Sequence, residues 1–507
     1  MMQIPEIANP IELQAFLDEV ESKLQSYQEE SGMLGFQRYL DKLPNPRISE
    51  LASLRSEIML DPAMKVLVDT WYPKVDDVIL KRRLQLWQRS LVAGQVLSDP
   101  HIRELTRDLD QRIVAHRYLY RGERIALGEI RNIIRFDKDA SARRDAWLSY
   151  RELSELLAPD LLKLIKMRNS IAQSLGFINY VDLILQHNEM NEKQVVGILE
   201  ELLAKSEVKY QETLAKGAVA IGLDKIEPWD VQICLEAGDS VPPEYFPKDG
   251  IQPAVKAWAK TMDIDMDALG IDMVFVDIPY NGLCMGIKKG LTHILGNPQD
   301  GYAYYKTMFH ELGHALHGEL NQVKETMLKR DSGIFTEGLA EVFGYVPSSP
   351  LWLADRNLPS EIATKAKSSA LGPMFHYLRQ RSAYCLFEYE MYSNPEANLD
   401  AIMAKWEANV LGCSLDDTSR WAANAWFISY PVYWQNYVLA DVMASQVHHH
   451  LEREYGPLAK SKEAFDFIIG HYITPGAITS WLSKIEAATG EPLNPKALIE
   501  DLNHKFN

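Results

Sequence analysis

The most constraining feature of this 507-residue sequence is the segment 309–318, FHELGHALHG. Four residues of α-helix turn the chain through about 400° and advance it by about 6 Å, so His310 and His314 project from one face with Glu311 beside them. Apolar residues recur at the spacing of a buried helical stripe, with Asp300 as a candidate cap and Gly318 as a candidate stop. The stripe consists of Tyr302, Tyr305, Phe309, Leu312 and Leu316. The sequence therefore predicts a packed helix that presents two imidazoles and one carboxylate together.

A pair of carboxylates follows this helix. HExxH on a helix is a zinc-binding pattern in which the glutamate acts as general base, and a catalytic zinc takes three protein ligands. After the polar segment 329–333, a second helical pattern places Glu337 and Glu341 one turn apart, among apolar residues that favour partial burial. One carboxylate would bind the metal, and the other would accept the second ring N–H of a ligand histidine. The alternatives are two ordinary polar helix residues and a solvated acidic face.

Composition restricts the class of protein. The chain is 47% hydrophobic and 24% charged, as expected of a globular protein long enough for a large core or for two lobes closing on a cleft. Its net charge of −17 argues against nucleic acid and anionic membrane as partners. The segment Met1–Glu6 lacks a signal-peptide pattern, and no stretch approaches about 18 uninterrupted apolar residues. The cysteines are scattered without a CxxC pair, so we expect free thiols and a cytoplasmic protein.

Amphipathic helical segments dominate the chain. They follow one another from about Pro10 to Glu201, separated by short breakers, and residues 1–120 are predicted to form an N-terminal helical region ahead of a larger domain at 121–507. The composition becomes irregular and proline-rich between 221 and 250, which makes this segment a candidate hinge between lobes. The fold class predicted from these patterns is mainly α.

A small β element is predicted directly before the HExxH helix. Residues 273–279, 283–287 and 291–296 have the short apolar patterns of strands. An edge strand beside a metal site can hold an extended peptide by main-chain hydrogen bonds, which would make Gly282, Leu283 and Cys284 substrate-binding residues. A plain structural hairpin fits the pattern equally well.

Aromatic residues recur at helical spacing farther along the chain. They are Trp426, Tyr430, Tyr433 and Tyr437. The simplest interpretation is an aromatic core stripe, but a phenol can also stabilise the oxyanion of amide hydrolysis, so Tyr430 is a candidate donor. The adjacent histidines 448–450 would point about 100° apart on a helix, which favours surface or packing roles. His317 is predicted to be structural, and the role of His376 stays open.

These motifs together resemble one family of peptidases. FHELGHALHG, followed 23 residues after His314 by Glu337 in FTEGLAE, resembles the gluzincins of the thimet oligopeptidase and oligoendopeptidase F family, with a secondary similarity to angiotensin-converting enzyme. The resemblance runs from about residue 120 to the end, whereas the preceding part shares only its helical character. Further similar segments are DAW at 145–147, LIKMRNSIAQSLGFINYVD at 164–182, FHYL at 375–378 and WLSKIEAATGEPLNP at 481–495.

The resemblance implies a helical, two-lobed ellipsoid with a deep central cleft, zinc at its floor, a small β element beside the zinc site and access for short peptides. It also implies a role for individual residues. These are His310, His314 and Glu337 as zinc ligands, Glu311 as general base, Glu341 as outer-shell carboxylate, and Tyr430 and Tyr437 as a tyrosine pair, of which the first donates to the oxyanion and the second contacts substrate.

Two departures from the family pattern bear on substrate binding. The segment 424–429 contains neither the Gly-rich loop nor the histidine that usually precede the first tyrosine, and the basic residue that holds a substrate C-terminus in the converting enzymes has no clear counterpart. We therefore predict a zinc-dependent oligopeptidase that hydrolyses internal bonds of short peptides and tolerates an amidated C-terminus. The alternatives are a dipeptidyl carboxypeptidase or carboxypeptidase, and a catalytically impaired relative that only binds peptides.

Overall fold

The computed structural model describes residues 4–237, 241–278, 280–413 and 419–505. Helices account for 71% of the structure and strands for 5%, in two small sheets, which confirms the predicted mainly-α fold with a small β element. Pro279, the last residue of the predicted strand 273–279, lies outside the described residues. Within these ranges, none of the helices combines the length and the apolar character that crossing a bilayer would require.

Short polar caps define where many of the helices begin. The Asx-Pro pairs at residues 9–10, 45–46, 61–62 and 99–100 each start a helix, because the Asx side chain accepts backbone N–H groups of the first turn while proline needs no partner there. The elements up to residue 240 are α1 (Pro10–Asp41), α2 (Pro46–Met59), α3 (Pro62–Trp71), α4 (Val78–Leu97), α5 (Pro100–Ala115), β1 (Tyr118–Tyr120), β2 (Glu123–Ile125), α6 (Leu127–Phe136), α7 (Ala140–Leu148), α8 (Tyr150–Ser174), α9 (Tyr180–His187), α10 (Glu192–Ile221) and α11 (Val231–Glu236).

The remaining elements include the three-stranded sheet and the helix that carries the HExxH motif. They are α12 (Ile251–Thr261), β3 (Ile271–Phe275), β4 (Gly282–Lys288), β5 (Leu291–Gly296), α13 (Tyr302–Leu320), α14 (Gly333–Gly344), α15 (Pro350–Ala354), α16 (Ser360–Ser368), α17 (Leu371–Ser393), α18 (Leu399–Leu411), α19 (Ala425–Ser429), α20 (Trp434–Glu454), α21 (Lys462–Ile468), α22 (Trp481–Thr489) and α23 (Lys496–Glu500).

The chain divides into two compact units, each assembled from segments that are distant in sequence. The first unit comprises residues 1–94, 241–366 and 440–497, and the second comprises residues 95–240, 367–439 and 498–507. One of the divisions, between residues 240 and 241, falls inside the segment 221–250, of which residues 238–240 lie outside the described part. The hinge and the boundary at residues 120 and 121 stay predictions.

In the first unit, β5 is the central strand of a three-stranded sheet. It pairs in parallel with β3 and antiparallel with β4, so β4 is an edge strand. In the register of the antiparallel pair, Gly282 faces Gly296 and Cys284 faces Ile294. Helix α1 packs closely on this sheet, and a Cβ atom at Gly32 would lie only 3.1 Å from Ile287 Cδ1.

A buried carboxylate fixes α1 to two other parts of the first unit. Glu21 is 2% exposed and accepts hydrogen bonds from Arg83 Nε at 2.7 Å, Trp87 Nε1 at 2.8 Å and the backbone N–H of Met327 at 3.1 Å. Because a buried charge is costly unless it is paired and hydrogen-bonded, this network specifies how α1, α4 and the segment 326–329 pack. An apolar core surrounds it, which includes Leu13, Leu17, Met64, Leu84 and Leu91.

Candidate metal centre and its surroundings

Helices α13 and α14 carry the predicted metal-binding residues, and Gly313 lets them approach closely. A Cβ atom at Gly313 would lie 2.7 Å from Ala340 Cα, so a larger residue would force the helices apart. The predicted apolar stripe of α13 and the apolar residues around Glu337 are buried, as expected. Two boundary predictions were wrong: α13 begins after Gly301 rather than being capped by Asp300, and it continues past Gly318 to Leu320.

His310, His314 and Glu337 converge in this contact. Their potential ligand atoms all lie within 4.8 Å of one another, and among the described residues this is the one such group of His, Cys, Asp or Glu. Glu337 Oε2 is 3.6 Å from His310 Nε2 and 3.9 Å from His314 Nε2. Ligand atoms of a tetrahedral zinc lie about 3.3 Å apart when the bonds are near 2.0–2.1 Å. The type and the spacing of the three donors therefore fit such an ion.

Glu341 lies at the Nδ1 side of the His310 ring, whereas Glu337 lies at the Nε2 side. Its Oε2 atom is 3.1 Å from His310 Nδ1, which leaves Nε2 directed toward Glu337. Burial acts to lower the pKa of His310, but the carboxylates of Glu337 and Glu341 more than offset it and hold this pKa well above its ordinary value. Burial and the neighbouring His310 lower the pKa of His314 to about 3. The carboxylates of Glu337 and Glu341 thus stabilise a positive charge in the contact between α13 and α14.

Glu311 points to the sheet and contacts the edge strand β4. Its side chain is buried, and its carboxylate accepts a hydrogen bond from the backbone N–H of Cys284. Burial raises the pKa of Glu311 to about 7. Gly282 makes room for this contact, because a Cβ atom there would lie 2.9 Å from Glu311 Cγ. The structure therefore brings Gly282 and Cys284 directly to the candidate base.

A second buried network supports the segment between α13 and α14. His317 Nε2 lies 3.2 Å from Asp331 Oδ2, and Lys484 Nζ donates to Asp331 Oδ1 at 2.6 Å. The side chains of Asp331 and Lys484 are 1% and 2% exposed. This arrangement agrees with a structural role for His317, because it fixes the chain that leads into α14 and Glu337.

Tyr430 belongs to the second unit and lies between two helices rather than on one. α19 ends at Ser429 and α20 begins at Trp434, so the prediction that Tyr430 and Tyr437 share one helical stripe was wrong. Pro431 lacks a backbone N–H and disfavours helical geometry in the residue before it. Tyr430 accordingly has φ −133° and ψ 58°, and its side chain is 54% exposed.

Buried side chains from two helices hold the backbone around Tyr430. Arg168 of α8 donates to the carbonyl oxygens of Phe427 at 3.0 Å and Ile428 at 2.6 Å. Glu388 of α17 accepts the N–H of Val432 at 2.8 Å, and Val432 has the left-handed φ of 55°. A β-branched residue rarely adopts this conformation, so the surrounding contacts must stabilise it. The segment is thus fixed while its phenol stays accessible.

Tyr437 and three arginines of the second unit have partners within the protein. The guanidinium of Arg381 lies 4.2 Å from the centre of the Tyr437 ring. Arg379 Nη1 pairs with Glu207 at 2.7 Å, and Arg420 pairs with Glu407. The predicted contact of Tyr437 with substrate stays a prediction.

Among the described residues, none of the other histidines and none of the cysteine side chains belongs to the group of candidate metal ligands. His448 Nε2 is 3.2 Å from Glu452 Oε1, and the ring packs against Tyr345 with centroids 5.1 Å apart. In the second unit, burial lowers the pKa of His376 to about 4. The cysteines are free, which confirms the prediction of unpaired thiols.

No protein-family model matches the chain, and no curated protein matches it. Membership of the gluzincin family and the roles assigned by resemblance therefore stay predictions.

Proposed function

We propose that this protein is a zinc-dependent oligopeptidase of the cytoplasm that hydrolyses internal bonds of short peptides. The observation that carries the proposal is the convergence of two histidines and a glutamate, His310, His314 and Glu337, with Glu341 behind one imidazole and Glu311 beside the group. Closed structural zinc sites use four protein ligands, whereas three ligands with an adjacent carboxylate are typical of hydrolytic sites.

The chain's own residues divide the chemistry among them. His310, His314 and Glu337 would hold the ion, which supplies Lewis-acid polarisation of the reacting groups. Glu341 would keep the His310 ring in the tautomer and orientation that direct Nε2 inward. The Glu311 carboxylate would accept a proton from the attacking water and return it to the leaving amine. Tyr430 is proposed to donate its phenol hydrogen to the oxyanion, and its exposed side chain on a fixed segment supports this role.

The edge strand β4 supports a peptide as the substrate. Main-chain pairing with an edge strand recognises the backbone of an extended peptide and leaves its sequence loosely specified. Gly282, Leu283 and Cys284 form the part of β4 nearest Glu311, and the N–H of Cys284 already donates to that carboxylate. A peptide paired with the remaining main-chain groups of this part would place a backbone amide beside the proposed base.

The test is the Glu311→Gln variant of the zinc-loaded protein, compared with Glu325→Gln, which changes a carboxylate outside the proposed site. Glu311→Gln should retain zinc but lose about 100-fold or more in kcat on mixed peptides, because it removes the general base. Glu325→Gln should match the wild type. Peptide binding without hydrolysis by the wild type would instead favour the impaired relative, and normal turnover in Glu311→Gln would contradict the mechanism.

A further inference from the structure

A basic cavity of about 240 Å³ lies in the first unit at the far end of β4. We call the basic cavity the space lined by four cationic side chains, Lys288, Lys289, Lys329 and Arg330, and by two carboxylates, Glu29 and Glu319. The chain as a whole has a net charge of −17, so this local excess of positive charge is unusual for the molecule. Cations that line a concave surface focus their field and attract anions.

The two carboxylates of the basic cavity offset part of its positive charge, but their hydrogen bonds come from neutral donors and not from the four cations. Glu319 is 3% exposed and accepts hydrogen bonds from the N–H of Gly290 at 2.8 Å and the hydroxyl of Thr292 at 2.7 Å. Glu29 accepts from the side-chain amide of Gln25 at 2.8 Å. Each carboxylate is therefore engaged with a neutral donor.

Three of the cations, Lys288, Lys329 and Arg330, are available for a ligand. The fourth, Lys289, donates to the carbonyl oxygens of Glu319 and Asn321 at the end of α13. Lys288, Lys329 and Arg330 have no carboxylate within ion-pair distance among the described residues, and Arg330 donates to the side chain of Gln28. Because the three cations line one cavity, an anion bound there would interact favourably with each of them.

The route from the proposed base to the basic cavity can be measured along two elements. Along β4, the four residues from Cys284, which contacts Glu311, to Lys288 span about 13 Å at about 3.3 Å per residue. Along α13, the seven residues from Glu311 to Gly318, which also lines the cavity, span about 10 Å at 1.5 Å per residue. The two estimates agree, and an extended peptide covers this distance with about three or four residues.

The walls of the basic cavity are anchored. Glu21 accepts the backbone N–H of Met327, and Thr326 Oγ1 donates to Gln25 Oε1 at 3.0 Å, so the segment that carries Lys329 is fixed to α1. Lys288 lies at the end of β4, in register with Leu291 of β5. Lys288 and Lys329 thus belong to elements, β4 and the segment 326–329, that are held in place by contacts with the rest of the first unit.

We propose that the basic cavity is a subsite for a carboxylate of the peptide substrate, about three or four residues from the scissile bond. The inference rests on the proposed peptidase function and adds a substrate class, peptides with an acidic group at a set distance from the cleaved bond. The carboxylate can belong to an Asp or Glu side chain or to the C-terminus of the peptide, since both present the same chemistry to Lys288, Lys329 and Arg330.

The experiment uses a series of ten-residue neutral peptides in which one glutamate is moved along the sequence, each made as a free acid and as an amide. Cleavage sites come from product masses with the zinc-loaded wild type, and affinities come from calorimetry with the Glu311→Gln variant. A glutamate three or four residues from the cleaved bond should tighten binding about tenfold, the effect of one charge-assisted hydrogen bond. If amidation of the peptide removes this gain in affinity, the C-terminal carboxylate is the ligand. If the gain survives amidation and is lost only when the glutamate is moved, the glutamate side chain is the ligand.

Charge reversal identifies the cavity as the cause. Lys288→Glu and Lys329→Glu should each abolish the preference, whereas Lys260→Glu, at an exposed lysine of α12 in the same unit, should leave it intact. Equal affinity for neutral and acidic peptides, or a preference that survives both reversals, would overturn the inference. Hydrolysis of the all-neutral amidated peptide reports on the proposed function separately: its cleavage without any acidic preference refutes only the subsite, and failure to cleave any peptide refutes the peptidase.

Discussion

Glu388 allows a quantitative prediction about the segment that carries Tyr430. Its side chain is fully buried in the second unit, with Oε1 bonded to the N–H of Val432 and Oε2 without a hydrogen-bond partner in the described structure. Burial raises the pKa of Glu388 to about 8, although the Val432 N–H and the charge of Arg168 act to lower it. Folding therefore favours the protonated form of this carboxyl.

The sign of the pH dependence follows from this raised pKa. The protonated carboxyl contributes its full stability below the unfolded-state pKa of about 4.5, and this contribution is lost as the pH rises through about 8. At 1.36 kcal/mol per pKa unit, the loss over this range is at most roughly 5 kcal/mol. Glu388→Gln keeps an oxygen for the Val432 N–H but cannot ionise, so it should lack this pH-dependent loss.

The assay is urea unfolding of the wild type and the variant between pH 5 and pH 8.5. The free energy of unfolding of Glu388→Gln relative to wild type should increase with pH by several kcal/mol, and groups that titrate in both proteins cancel in the difference. Glu396→Gln, which alters an exposed carboxylate of the same unit, is the control and should show no such trend. A difference that stays constant over this pH range would refute the reasoning.

Three further predictions concern single side chains. Tyr430→Phe should lower kcat about 100-fold with little change in KM, because an oxyanion bond forms only in the transition state, and unchanged steady-state kinetics would remove Tyr430 from the site. Arg168→Met should lower the free energy of unfolding by roughly 2–4 kcal/mol, since two buried carbonyls lose a charged donor, with partial recovery in Arg168→Lys. Lys484→Met should cost roughly 3–5 kcal/mol, measured in the same way, because Asp331 stays buried without its ammonium partner, and a neutral effect would contradict this pairing.

Local periodicity was sufficient to predict α13 but not its ends. The apolar stripe from Tyr302 to Leu316 is buried as expected, because packing decides the orientation of a helix. Asp300 does not cap α13 because its carboxylate accepts the N–H of Lys248, a partner 52 residues away. The end of α13 also depends on a distant residue, since Lys289 binds the carbonyl oxygens of Glu319 and Asn321. Such contacts have no local signal in the sequence.

The error at Tyr430 had a local signal. Pro431 between Tyr430 and Tyr437 should have excluded one continuous helix, but the seven-residue spacing suggested one. Arg168 and Glu388, which hold this segment, were not identified from the sequence as functional candidates. The only sign of them in the sequence is a charged residue within an otherwise apolar helical stripe. The stripe does not reveal which backbone carbonyl or N–H group will bind that charged side chain.

Elemental analysis of zinc in purified wild-type, Glu337→Ala and Glu311→Gln proteins tests the central claim most directly. We predict about one zinc per chain in the wild type and in Glu311→Gln, and near-complete loss in Glu337→Ala, because a zinc left with two imidazoles loses its anionic ligand. Full zinc occupancy in Glu337→Ala, or a wild-type protein that binds no zinc when the metal is supplied, would contradict the account.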